Sequence, residues 1–222
     1  ADSEPRVSIG GQISERMWPS LNFAIPVFIL GLLVNVSTAL IIAYYRGTYL
    51  DFWTLIVCVF AMSISALFYI IIGQFLFGFT FRLFPISGYN PGVDSIRFVA
   101  LPIAIGVIGG IGGGVRFNRT VFLEEVNKDY VRTARAKGLG EMEVLFKHAL
   151  KNAMIPILTS AVMAIPFLFM GSLLMESFFG IPGMGGYTID AINAKDFAVV
   201  RSMVYLGSVL YIIGLIMTDI SY

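Results

Sequence analysis

Five uninterrupted apolar runs, at residues 21–45, 53–78, 96–115, 154–175 and 198–217, restrict what this chain can fold into more than any other feature. Each is about as long as the roughly 20 residues a helix needs to cross some 30 Å of hydrocarbon. Backbone N–H and C=O groups find no partners in lipid, so a spanning segment must be a helix or part of a closed barrel. Barrel strands alternate apolar and polar residues over about ten positions, and these runs stay apolar throughout. The pattern predicts an all-α, polytopic transmembrane helical bundle. Composition agrees: 57% of residues are hydrophobic and 13% charged, and the mean hydropathy of +0.83 leaves too little polar surface to clothe a water-soluble domain.

Charge informs only through its distribution. Fifteen basic and fourteen acidic residues nearly cancel, to +1, which gives no case for a nucleic-acid partner or an acidic substrate. The connection 116–153, however, carries Arg116, Arg119, Lys128, Arg132, Arg135, Lys137, Lys147 and Lys151, whereas 79–95 and 177–197 carry only Arg82 and Lys195. The positive-inside rule therefore puts 116–153 in the cytoplasm, along with the turn 46–51 and the C-terminus. Residues 1–20 then read as the end of an extracytoplasmic segment, and 21–222 as the transmembrane domain. A tail that begins ADSE, with no apolar h-region of its own, implies an upstream helix and five spans of an expected six, with a removed signal peptide as the alternative.

Within the spans, Gly106, Gly110 and Gly114 recur every fourth residue, as do Gly109 and Gly113. Such a stripe exposes backbone and lets a second helix approach closely. A dinucleotide loop would need these glycines in a turn after a strand, and no GK[ST] follows them, so no phosphate loop is expected. Asn35, Ser37, Thr38, Ser63, Ser65, Gln74, Thr159, Ser160 and Ser172 suit interhelical hydrogen bonds, while Arg97, Glu176 and Arg201 lie close enough to the ends to reach the interface. The sequence places no ionisable residue at mid-span, which argues against an ion-coupled relay and puts the energy source outside this chain. Cys58 is alone, no Cys/His cluster suggests a metal site, and the ten Met residues read as packing.

The stretch DYVRTARAKGLGEMEVLFKHALKNA, residues 129–153, is polar against this background. Good helix formers up to Lys137 are interrupted by Gly138-Leu139-Gly140, after which Glu141 to Asn152 read as a second helix. Its Met142, Leu145, Phe146 and Ala149 form a narrow apolar face, and Glu143, Lys147 and Lys151 line the other. The two short helices make a compact knob, with Ala134 and Ala136 expected to be exposed beside Gly138, suited to a groove on another protein. An amphipathic loop lying on lipid headgroups is the alternative. Near the opposite end, FFGIPGMGGYTID, with Pro182 and Gly180, Gly183, Gly185 and Gly186, reads as an irregular, turn-rich segment.

YVRTARAKGLG followed by FKHALKNAMIPILT resembles the cytoplasmic loop motif of ABC importer permeases, in the form used by the dipeptide, oligopeptide and nickel permease family. The resemblance runs from about Ile13 to the C-terminus, with FLEEVNKDYVRTARAKGL and MESFFGIPGMGGYTIDAINAKDFAVV also fitting. The general motif has Glu-Ala-Ala a turn before the glycine and Leu-Pro after it; here Arg132-Thr133-Ala134 and Leu150-Lys151 stand in those places, as in the peptide and nickel subgroup.

The resemblance implies a six-helix permease of a bacterial or archaeal cytoplasmic membrane. It would pair with a second homologous permease, receive solute from an extracytoplasmic binding protein, and be driven by two cytoplasmic ATPase subunits. ATP and Mg would be bound by those subunits, leaving no catalytic residue, cofactor or metal to this chain. The implied ATPase contacts are Thr133, Ala134, Arg135, Ala136, Lys137, Gly138, Leu139 and Gly140. Phe179, Pro182, Gly183, Met184 and Gly185 become candidates for an extracytoplasmic gate or binding-protein contact, with a plain surface loop as the alternative. Peptides are the favoured solute, because nickel would call for His, Cys or Met along the pathway and His148 lies on the cytoplasmic loop. Nickel or another small solute is the alternative, and a channel or secondary transporter is the reading outside the family.

Overall fold

A computed structural model describes residues 9–90, 92 and 95–221. Among these residues the regular elements are all helices: α1 (Ile9–Tyr44), α2 (Tyr49–Ser63), α3 (Ala66–Thr80), α4 (Ser95–Val126), α5 (Asp129–Ala136), α6 (Glu141–Met170), α7 (Leu173–Phe179), α8 (Met184–Asn193) and α9 (Phe197–Ser221). α1, α4, α6 and α9 are each long and apolar enough to cross a membrane, and α2 with α3 would make a fifth span. The expected bundle is what the chain forms.

Three departures from the sequence expectation matter. The second apolar run does not make a straight helix: α2 and α3 meet at 91°, because Ile64 (φ −86°, ψ 131°) and Ser65 (φ −63°, ψ 144°) are extended. Ser63 Oγ turns back to donate to the Val59 carbonyl, the local competition with helix bonding that serines introduce. Of residues 1–20, read as the end of an extracytoplasmic segment, 1–8 lie outside the described residues and 9–20 form a helix continuous with the first span, where no regular element was expected. At 36 residues and about 1.5 Å each, α1 exceeds the thickness of hydrocarbon, so it must project beyond it. Finally, the second helix of the knob and the fourth span are one element: α6 runs unbroken from Glu141 to Met170.

α1 and α4 form the central pair, and the glycine stripe explains only part of their fit. A Cβ at Gly106 would lie 3.0 Å from Val27 Cγ1, and one at Gly114 would collide with the Asn35 amide. Gly110 faces open space and lines a cavity of about 290 Å³ between α1, α4 and α6. The tightest approach to α2 is at Gly112, where a Cβ would come within 2.8 Å of the Cys58 carbonyl oxygen. At the end of the bundle nearest α5, Arg119 of α4 grips Asp51 of α2 with both arms, Nε to Oδ1 and Nη2 to Oδ2 each at 2.7 Å, while the Gly47 amide donates to Oδ2 at 3.1 Å. Such two-armed, charge-assisted pairing fixes geometry as well as contributing energy.

Candidate functional site

Two regions carry chemistry or shape beyond packing, one at each end of α6. The first is the knob. α5 seats its buried Val131 and Ala134 against Val144 at the start of α6, with Tyr130 and Leu139 packed beside them. Gly138 ends α5 in the left-handed region at φ 83°, where its N–H donates to the Arg135 carbonyl at 2.9 Å and that of Leu139 reaches Ala134 O at 3.4 Å. Gly140 is extended (φ −66°, ψ 151°) and starts the next helix, Val144 N donating to its carbonyl at 3.0 Å. Across this bend Arg135 clamps Glu141, Nε to Oε1 at 2.8 Å and Nη2 to Oε2 at 3.1 Å. At the base, Glu125 accepts from Lys128 Nζ at 2.6 Å and Tyr130 Oη at 2.7 Å, and burial together with this carboxylate pushes the Tyr130 hydroxyl above its ordinary pKa.

The implied contact residues divide accordingly. Thr133, Ala136, Lys137, Gly138 and Gly140 are exposed, Arg135 and Leu139 are half-buried, and Ala134, expected at the surface, is inside. The apolar face expected of the second helix also splits. Leu145 and Ala149 turn inward onto Val126 and Leu40, whereas Met142 and Phe146 are 53% and 51% exposed. The reason is a π-wound stretch, Val144–Leu150, whose i to i+5 hydrogen bonding rotates side chains out of the 3.6-residue register that the periodicity assumed.

The second region follows α6. Gly171, at φ 69°, ends that helix; α7 then runs to Gly180, at φ 64°, and Met184 opens α8. The segment expected to be irregular is therefore mostly helical, with only 180–183 between α7 and α8, and it is held down: Gln74 Nε2 donates to Phe178 O at 2.9 Å and Ile86 O at 3.0 Å, and the Gly88 amide donates to Phe179 O at 2.8 Å. Phe179, Gly183, Met184 and Gly185 are buried, and of the five candidates named for this segment Pro182 alone is exposed.

Glu176 organises this region, and the interfacial position expected for it is not what it adopts. Its side chain is fully buried. Its carboxylate accepts from Ser20 Oγ at 2.7 Å, Gly185 N at 2.7 Å, Gly186 N at 3.1 Å and Ser172 N at 3.2 Å. Burial raises its pKa above the usual carboxylate range, against the hydrogen bonds from Ser20 and the backbone amides. Glycines make the room: a Cβ at Gly171 or Gly183 would run into both the carboxylate and Ser20 Oγ, and one at Gly185 would come within 2.7 Å of Leu173 N. A carboxylate followed at 183–186 by GMGG was the signal available in the sequence; its partner Ser20, 156 positions away, was not. Among the described residues no three His, Cys, Asp or Glu side chains gather to hold a metal ion.

Residues 35–222, and so most of the chain, match the family of binding-protein-dependent transport system inner membrane components. The chain belongs to that family. A Brucella suis protein named as a peptide transport system permease is 33% identical over 215 residues, covering 95% of this chain and 68% of its own. The dipeptide transport system permease protein DppB of Bacillus subtilis is 28% identical over 221 residues, covering 99% and 70%. In fold, this inner membrane component is similar to a chain of the inward-facing MetNI methionine ABC transporter, with a TM-score of 0.71, full coverage of both chains and 15% identity. An amino acid ABC transporter scores 0.61, with 96% and 92% coverage and 11% identity. The family expected from the loop motif is therefore the family found.

Proposed function

We propose that this inner membrane component is the transmembrane subunit of an ATP-driven importer of di- and oligopeptides, acting with a second homologous permease, two cytoplasmic ATPase subunits and an extracytoplasmic binding protein. The observation that carries the coupling role is the braced bend. Arg135 and Glu141, paired across the bend at its surface, hold Gly138 in place, and Thr133, Ala136, Lys137 and Gly140 are exposed around them. A surface whose own charges are used to stiffen it can be pushed as a body. Because α5 packs on Val144 and α6 is continuous to Met170, displacement of the knob by closing ATPases is carried along a helix of 30 residues, about 45 Å at 1.5 Å each. The knob end is the cytoplasmic one, as the basic residues of 116–153 require. ATP and Mg are handled by the partner subunits, and this chain supplies positioning and transmission.

The peptide reading rests on the Brucella suis and Bacillus subtilis relatives. It is tested by reconstituting the permease with its paired permease, ATPases and binding protein in liposomes. Uptake of a labelled dipeptide that needs ATP and the binding protein is expected. Equal uptake by the chain alone without ATP would instead establish a channel or secondary transporter, and ATP-driven uptake of nickel but not of peptide would reassign the solute.

A further inference from the structure

The polar part of α1 makes contacts that neither the loop motif nor the family accounts for. Gln12, Arg16 and Ser20 fall at four-residue spacing, on one helix face, and all three meet the start of α8. Tyr187 Oη donates to Gln12 Oε1, the Arg16 guanidinium lies 4.7 Å from the Tyr187 ring centroid, and Ser20 Oγ both accepts from Met184 N at 2.8 Å and donates to Glu176 at 2.7 Å. Between these polar contacts, Ile9, Ile13 and Met17 pack against the cluster that contains Met184, Tyr187 and Met203. The carboxylate of Glu176 thus joins α1, the turn after α6 and the first turn of α8.

We propose that Glu176 is a positioning residue for transport: through Ser20 it fastens the 171–187 segment to α1, so that these elements move as a single unit at the end opposite the knob. This rests on the importer reading above. The physical case is the asymmetry of the contact. Four donors converge on two oxygens inside a cage that a Cβ at Gly171 or Gly183 would fill; three of them belong to the segment itself and the fourth is Ser20 Oγ, so sliding the segment along α1 would strip a buried carboxylate of its Ser20 donor and the buried Met184 amide of its acceptor at once. Buried groups deprived of partners are costly enough that the segment and α1 shift together. Motion delivered along α6 then arrives at Gly171, where α6 ends, and is passed to α1 as well as to α7 and α8.

Ser20→Ala tests this without removing the carboxylate, which keeps its three backbone donors, and Glu176→Gln is the second variant because it keeps the size of the side chain. Hydrogen exchange of the 183–187 amides is measured in the assembled transporter, together with the ratio of peptide-stimulated to unstimulated ATP hydrolysis. A rise in exchange of at least about tenfold, from the loss of both hydrogen bonds of Ser20 Oγ, is expected in Ser20→Ala, with the hydrolysis ratio reduced at least about threefold in both variants. Unchanged exchange in Ser20→Ala would overturn the fastening. Raised exchange with an unaltered hydrolysis ratio would overturn the positioning role and leave Glu176 a purely structural group. If exchange rises but peptide fails to stimulate hydrolysis even in the unaltered assembly, the fastening stands and the importer reading is what fails.

Discussion

Gly138 and Gly183 both call for glycine, but for opposite reasons, and substitutions separate them. At Gly138 a Cβ would meet open space while φ is 83°, so a side chain suffers only the left-handed backbone, about 1–2 kcal/mol and more for a β-branched residue. Gly138→Val should therefore insert and assemble normally but present a distorted bend, reducing peptide-stimulated ATP hydrolysis several-fold; an unchanged rate would remove Gly138 from the coupling surface. At Gly183 the backbone is extended and the space is filled by Glu176 and Ser20. Gly183→Ala should destabilise the folded permease by about 1–3 kcal/mol through displaced buried hydrogen bonds, seen as a lower melting temperature in detergent. A melting temperature equal to that of the unaltered chain would mean the cage is looser than it looks. The left-handed bend at Gly138 was legible in the sequence because an interrupted run of helix formers needs one. The cage was not, because its four donors come from residues 20, 172, 185 and 186, which no local pattern brings together.

Among the elements, hydropathy identified every apolar span but could not see how each one ends or bends. α1 extends back to Ile9 through IGGQISERMWPS, which carries no apolar run to announce it. The 91° break between α2 and α3 lies in a continuously apolar stretch, marked only by Ser63 and Ser65, and the π-wound turn of Val144–Leu150 is invisible to a method that assumes one helical period. Polar contacts then decide how the elements sit. Asp51 and Arg119 join α2 to α4 through two hydrogen bonds of 2.7 Å, with side chains only 9% and 18% exposed. Asp51→Ala leaves a sheltered guanidinium unpaired and should destabilise the permease by about 1.5–3 kcal/mol, the range for hydrogen bonds to charged groups. The double variant Asp51→Ala/Arg119→Ala should recover part of that loss, a coupling that a double-mutant cycle on thermal unfolding measures directly. Strict additivity would show that the pair does not hold α2 against α4.

In the whole molecule, the knob at one end and the Glu176 node at the other are joined through a single helix, α6. The knob has an interior of Val131, Ala134 and Val144 and an exterior of Thr133, Ala136, Lys137, Gly138 and Gly140. It is followed by α6, and α6 by the Glu176 node. In the proposed coupling, a push on the knob is carried along α6 to the Glu176 node as a rigid-body movement. The coupling role proposed above would account for a chain with so few charges gathering so many of them in the loop 116–153. In the proposed importer this loop is seated in an ATPase subunit. The most direct measurement is a crosslink from Lys137→Cys, in a Cys58→Ser background, to the ATPase subunits of the reconstituted assembly, followed with and without ATP. A crosslink to an ATPase subunit whose yield changes with nucleotide is expected. A cysteine at 137 that reacts freely with a soluble maleimide yet crosslinks to no ATPase in any nucleotide state would contradict it.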